Sequence, residues 1–190
     1  MKSALTLSLL ALLLGACQAT SFQLPPLAPA PCDPQLVGDW HSVDSDGQED
    51  RQLQLRIAAD CQLVLADLDK GQVRQSAPTR LTTGQDAAAR YAWIPAGWAN
   101  QHFQAKDLSI PAEDVYVYRY RVEGDRMVVE TIDHTTVAHL IIDRKLDGAV
   151  ISDEDRLVNR ITGTPQPATL LLPGLFDADT LQFRRAGALP

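Results

Sequence analysis

The chain has 190 residues, with 17 Lys plus Arg against 24 Asp plus Glu and a net charge of -7. That length holds one domain with short appendages, and 45% hydrophobic residues with 22% charged ones are enough to bury a core. The acidic balance argues against general nucleic-acid binding, which needs cations to displace counterions from phosphates.

Met1-Lys2 gives a positive start, and Ala4 to Leu14 is an apolar run. A bilayer-crossing helix takes about 20 apolar residues, so this run is too short for a permanent span and has the shape of a secretory signal. Leu14-Gly15-Ala16-Cys17 follows: a branched apolar residue, two small ones and Cys. It resembles the lipobox of bacterial lipoproteins. The resemblance implies that residues 1–16 are a removed signal peptide and that Cys17 carries a thiol-linked diacylglycerol and an acylated amine. Several acyl chains on one residue anchor stably where one is marginal. Gln18, in place of the Asp usual in lipoproteins retained at the inner membrane, implies an outer-membrane anchor facing the periplasm of a Gram-negative bacterium. The other reading is an ordinary secretory signal with a chance Cys.

Two cysteines remain, Cys32 and Cys61. In an oxidising compartment they are expected to pair, and closing such a loop is worth roughly 3–4 kcal/mol. Two buried free thiols are the alternative. Residues 17–34 read as the lipidated Cys and a tether, because Pro25, Pro26, Pro29, Pro31 and Pro34 favour extended polyproline II. The same run could serve as a Pro-rich ligand.

Residues 35–190 read as a single β-rich domain. Leu36 to Val43 is a first strand. Leu53, Leu55 and Ile57 alternate with polar residues, Ala58-Ala59-Asp60 turns, and Cys61, Leu63 and Leu65 alternate back. Val115 to Val122 and Arg126 to Ile132 form a second hairpin around Glu123-Gly124-Asp125, with Tyr116, Tyr118 and Tyr120 on one face. Asp133 is an N-cap for a short helix through Val137, Leu140, Ile141 and Leu146, stopped by Gly148, although its β-branched residues leave a strand open. Val150-Ile151 and Leu157 to Thr162 are short strands. Pro167 to Leu172 is one or two helical turns, and Leu181 to Arg185 a closing strand. The fold class is mainly β or α+β: a small antiparallel curved sheet or barrel with one or two short helices.

Gly38-Asp39-Trp40 stands where lipocalin-like proteins carry G-x-W, at the start of the first strand. The domain weakly resembles that family. The resemblance implies a barrel with Arg184, or Arg185, packed across Trp40 at one end, and a cavity for a small apolar ligand.

Candidate chemistry is thin. His134 and His139 are too far apart in helical angle to chelate one metal. Asp44, Asp46 and Glu49 around Gly47 miss the EF-hand spacing and read as a solvated loop. Asp153-Glu154-Asp155 reads as a turn. The common serine-nucleophile and phosphate-loop signatures are absent. Asp39 and His41 share a strand face and could form an acid-base pair. Tyr91, Trp93, Trp98 and Phe103, interrupted by Pro95 and Gly97, form either a binding surface or a loop plugged into the core. No metal, cofactor or catalytic residue is expected. The leading expectation is a non-enzymatic periplasmic lipoprotein that binds a protein partner, as an inhibitor or immunity protein does. The alternatives are a lipocalin-like carrier of a small apolar ligand and a hydrolase using Asp39 and His41.

Overall fold

The computed structural model describes residues 18–44, 46–69, 71–103, 109–152, 156–163, 167–176 and 180–187. The expected signal peptide, Cys17 and the run Asp153-Glu154-Asp155 lie outside the described residues. The chain is mainly β, built on one large curved sheet with two α-helices.

In chain order the strands are β1 (Gln18–Phe22), β2 (Gly38–Val43), β3 (Glu49–Ile57), β4 (Gln62–Asp69), β5 (Gln72–Gln75), β6 (Thr79–Arg80), β7 (Thr82–Gln85) and β8 (Arg90–Pro95). Helix α1 (Ala96–Phe103) comes next, then β9 (Val115–Glu123), β10 (Arg126–Glu130), α2 (His134–Ile142), β11 (Gly148–Ser152) and β12 (Leu157–Ile161). A 3-10 helix (Pro167–Leu171) precedes the last strand, β13 (Thr180–Arg185).

The hydrophobic alternation sets the register. Leu55 pairs with Leu65 and Ile57 with Leu63 across β3 and β4, so apolar side chains of both strands reach the same face. Cys61 takes φ 62° at the hairpin end and is bonded to Cys32. Around the curve the strand order runs β9-β10-β13-β2-β3-β4, every neighbouring pair antiparallel. β8 adds to the far edge of β9, and β7 to β8. The barrel alternative is not realised: β6 pairs with β4, β7 pairs with β8, and among the described residues no ladder joins β6 to β7. Short strands and Pro78 at this seam leave too little backbone to zip it shut.

The tether expectation needs correction. Gln18–Phe22 is a strand, paired in parallel with β12 from Gln18↔Leu157 to Phe22↔Ile161. Residues 19–22 are buried, Phe22 completely. This stretch precedes the first proline, so its amides remain free to join a ladder. The Pro-rich part does not stand free either. Pro26 is buried, Ala30 bridges Thr83, and Thr83 Oγ1 donates to the Pro31 carbonyl.

Helix α2 begins at the expected cap, with the Asp133 side chain accepting from Thr136 N at 2.6 Å. It ends at Ile142, earlier than expected. Arg144 turns at φ 59°, and Gly148 opens β11 instead of closing the helix. A Cβ at Gly148 would stand 2.5 Å from the Arg160 carbonyl, so the close strand approach needs glycine.

Two apolar cores lie on the two faces of the curve. The inner one gathers Leu36, Trp40, Leu53, Leu63, Leu65, Ile94, Tyr116, Tyr120, Met127 and Phe183. The outer one is formed where Tyr91, Trp93, Val115 and Val117 meet Phe22, Val137, Leu170, Leu175 and Phe176.

Phe22→Ala is expected to cost about 3–5 kcal/mol, as for other buried Phe truncations. Leu24→Ala, at a side chain 45% exposed, should stay within about 0.5 kcal/mol. Urea unfolding of the chain from Cys17 onward reads both. Equal, negligible effects would mean that Gln18–Phe22 is a spacer after all.

Candidate functional site

The concave face of the sheet holds a cavity of about 90 Å³. It is lined by Leu, Ile, Val, Ala, Met and Phe side chains with two tyrosines, Tyr118 and Tyr120. Among the described residues no charged one lines it. The lining follows from strand alternation: Leu53, Leu55 and Ile57 on β3, Leu63 and Leu65 on β4, and Leu181 and Phe183 on β13 all stand at period two.

Beyond the cavity lining, β2 and β13 carry a stacked pair. Trp40 is fully buried and its Nε1 donates to the Leu36 carbonyl at 2.8 Å. The Arg185 guanidinium lies over the indole, 4.2 Å from its centre, and donates to the Val37 and Gln35 carbonyls. Arg185 rather than Arg184 takes this place, because Arg185 is the strand partner of Trp40 and partners share a face. Arg184 pairs with His41 and donates to the Gly47 carbonyl. Gly38 is part of the same device. It adopts φ 141°, and a Cβ there would stand 2.5 Å from Arg185 Nη1. The G-x-W run thus provides room for the cation above the ring.

Helix α1 contributes Phe103 to the cavity lining. Trp98 Nε1 donates to the Ala77 carbonyl at 2.7 Å, and Asn100 Oδ1 accepts from the Tyr116 hydroxyl at 2.8 Å. His102 Nε2 lies 2.8 Å from Asp67 Oδ1, an ion-pair contact without the alignment of a hydrogen bond. Asp67 is fully buried and takes a two-pronged contact from Arg74 Nε and Nη2. Burial holds the His102 imidazolium unfavourable and lowers its pKa, against the pull of Asp67. Burial likewise raises the Tyr116 phenol to about 12 and the Tyr118 and Tyr120 phenols further. The three-tyrosine face is therefore interior and neutral, and Tyr118 and Tyr120 of it line the cavity. Compared with known proteins, the chain matches no family model, no curated protein and no solved structure.

The aromatic segment is not an exposed binding surface. Tyr91 and Trp93 are buried in the outer core, under α2 and residues 170–176. Trp98 and Phe103 sit on α1 and pack against the inner core. Local sequence hid this helix because Pro95, Gly97 and a length of eight residues mask any period. Asp39 and His41 do share the outer face of β2, yet each is engaged separately. Asp39 pairs with Arg56 at 2.7 Å in solvent, and His41 Nδ1 stands 3.2 Å from Glu49. His134 Nδ1 contacts Thr20 Oγ1 at 2.9 Å, and His139 is exposed. Asp44 caps its own turn by accepting from the Asp46 and Gln48 amides. The disulfide Cys32–Cys61 is formed.

Two outcomes are expected. Gly38→Ala should destabilise the fold by more than about 1 kcal/mol, through the positive φ and displacement of Arg185. Its effect should shrink in an Arg185→Ala background, and an Arg184→Ala background should leave it unchanged; chemical denaturation of the wild type, the three single variants and the two doubles reads the coupling. The second outcome follows from the lowered pKa of His102. The unfolded chain takes up that proton near pH 6.5 while the folded one resists, so stability is full above about pH 6.5 and declines as pH falls toward the folded value. His102→Gln should flatten this part of the wild-type profile, measured as unfolding midpoints between about pH 7.5 and 5.5.

Proposed function

We propose that the protein is a lipid-anchored periplasmic binding protein of the outer membrane that holds a narrow apolar ligand inside its curved sheet. One observation carries the reading: the concave face holds a cavity whose lining, among the described residues, is uncharged, and helix α1 contributes Phe103 to that lining. Ligand sites are mostly apolar concavities with few polar groups. The present volume of about 90 Å³ is below the roughly 300–1,000 Å³ of drug-sized sites. It suits the end of a single hydrocarbon chain, with more room when Phe103 swings out with α1. Recognition inside is by shape, because no cation or carboxylate reads a headgroup there.

A protein partner is the second reading. It is supported by an outer groove of about 750 Å³ between β9–β10 and residues 170–176, where Leu171 is 57% exposed beside Arg121 and Glu123.

Native mass spectrometry of the protein released from membranes, and after addition of medium-chain fatty acids, tests the first reading. The wild type should carry or take up one apolar molecule. Leu65→Trp should fill the cavity and abolish uptake while keeping the wild-type circular dichroism. Uptake that is equal in both proteins would place the ligand elsewhere, and failure of the wild type to take up any chain would end the carrier reading.

A further inference from the structure

Strand β1 leaves no spacer between Cys17 and the sheet. Gln18 is already in register with Leu157 of β12, and the next four residues are buried. One peptide link, about 3.8 Å between Cα atoms, joins Gln18 to Cys17. Any acyl group on Cys17 therefore starts against the sheet itself. The row begun by Gln18 continues to Leu157 and then Ser152 of β11. The next row runs Ala19, Val158 and Ile151, and Ile151 is 49% exposed at the sheet edge. These three five-residue strands carry one charged side chain, Arg160, which is held by Asp114 at 2.8 Å. In a chain with 24 acidic residues, none lies in them.

We infer that the Gln18–Leu157–Ser152 end of the β11–β12–β1 ladder is the membrane-facing surface, seated flush on phospholipid. The inference rests on the reading of Cys17 as the lipid-bearing residue. Exposed Ile151, two strands across the ladder, adds an apolar contact to the hold of the acyl chains.

The test couples a maleimide phospholipid in vitro to Cys17 of the mature chain, whose other two cysteines are bonded to each other. All described elements follow Cys17, so this chain is the folded protein. The product is placed in phosphatidylcholine vesicles with Ile151 replaced by a benzophenone amino acid. A second sample carries the probe in place of Val73, which is 67% exposed on β5 at the opposite end of the strand order. Irradiation should give several-fold more lipid adducts from position 151 than from position 73. A long Gly/Ser insertion between Cys17 and Gln18 should erase that excess. Equal adducts at both positions without the insertion overturn the inference, as do protein–protein adducts from position 151 in place of lipid ones. The anchor is checked separately by metabolic acyl labelling of the wild type and Cys17→Ala. An unlabelled wild type would sink the anchor, and the in vitro result would still report on the surface.

Discussion

Burial of both faces of β9 is the constraint on which the rest of the structure depends. Its sequence, VYVYRYRVE, sends Tyr116, Tyr118 and Tyr120 into the concave side and Val115, Val117 and Arg119 to the convex side. An antiparallel sheet can leave one face to water, but this strand cannot. Each phenol then needs a partner or a neutral setting. Tyr116 finds Asn100 on α1, Tyr120 finds Asp33 at 2.9 Å, and Tyr118 lines the cavity. On the convex side the valines require a cover, which α2 and residues 170–176 supply, with Arg119 lying 5.2 Å over the Phe176 ring. One alternating strand thus calls for two cores, and Val137 of α2 with Leu170, Leu175 and Phe176 serves the second.

Two buried carboxylates tie the elements together around this strand. Asp114, just before β9, accepts from Ser21 of β1 and from Arg160 of β12, while its carbonyl accepts the Ala96 amide that opens α1. Asp67 holds Arg74 of β5 and contacts His102 of α1. Ion pairs of this kind add little net stability over apolar packing, but losing one partner leaves a charge stranded. Their value here is specificity: they fix where α1 lies on the sheet and which strand β1 pairs with. Two of the acidic side chains are accordingly internal and neutralised by arginines.

The sequence was legible where the determinant was local. Period-two runs gave β3, β4, β9 and β10, and Asp133 marked the start of α2. The mainly β class followed from those runs. What escaped was set by distant partners. Thr20 and Phe22 look like part of a spacer until β12 is seen beside them. Tyr91 and Trp93 look like surface aromatics because their cover lies some eighty residues on, around Leu170 and Phe176. The stack on Trp40 depended on a one-residue register between β2 and β13, which alternation makes decisive and composition does not encode.

The parallel pairing of β1 with β12 also orders events in time. Thr20 and Asn159, which share a hydrogen bond, stand 139 residues apart in the chain. An N-terminal strand must wait for nearly the whole chain before its long ladder with β12 exists. Contacts of such separation slow folding and leave strand edges open meanwhile. A chain whose start is already fixed at a membrane would fold in reach of its anchor point, so the last ladder to form would also be the one that sets the molecule's pose.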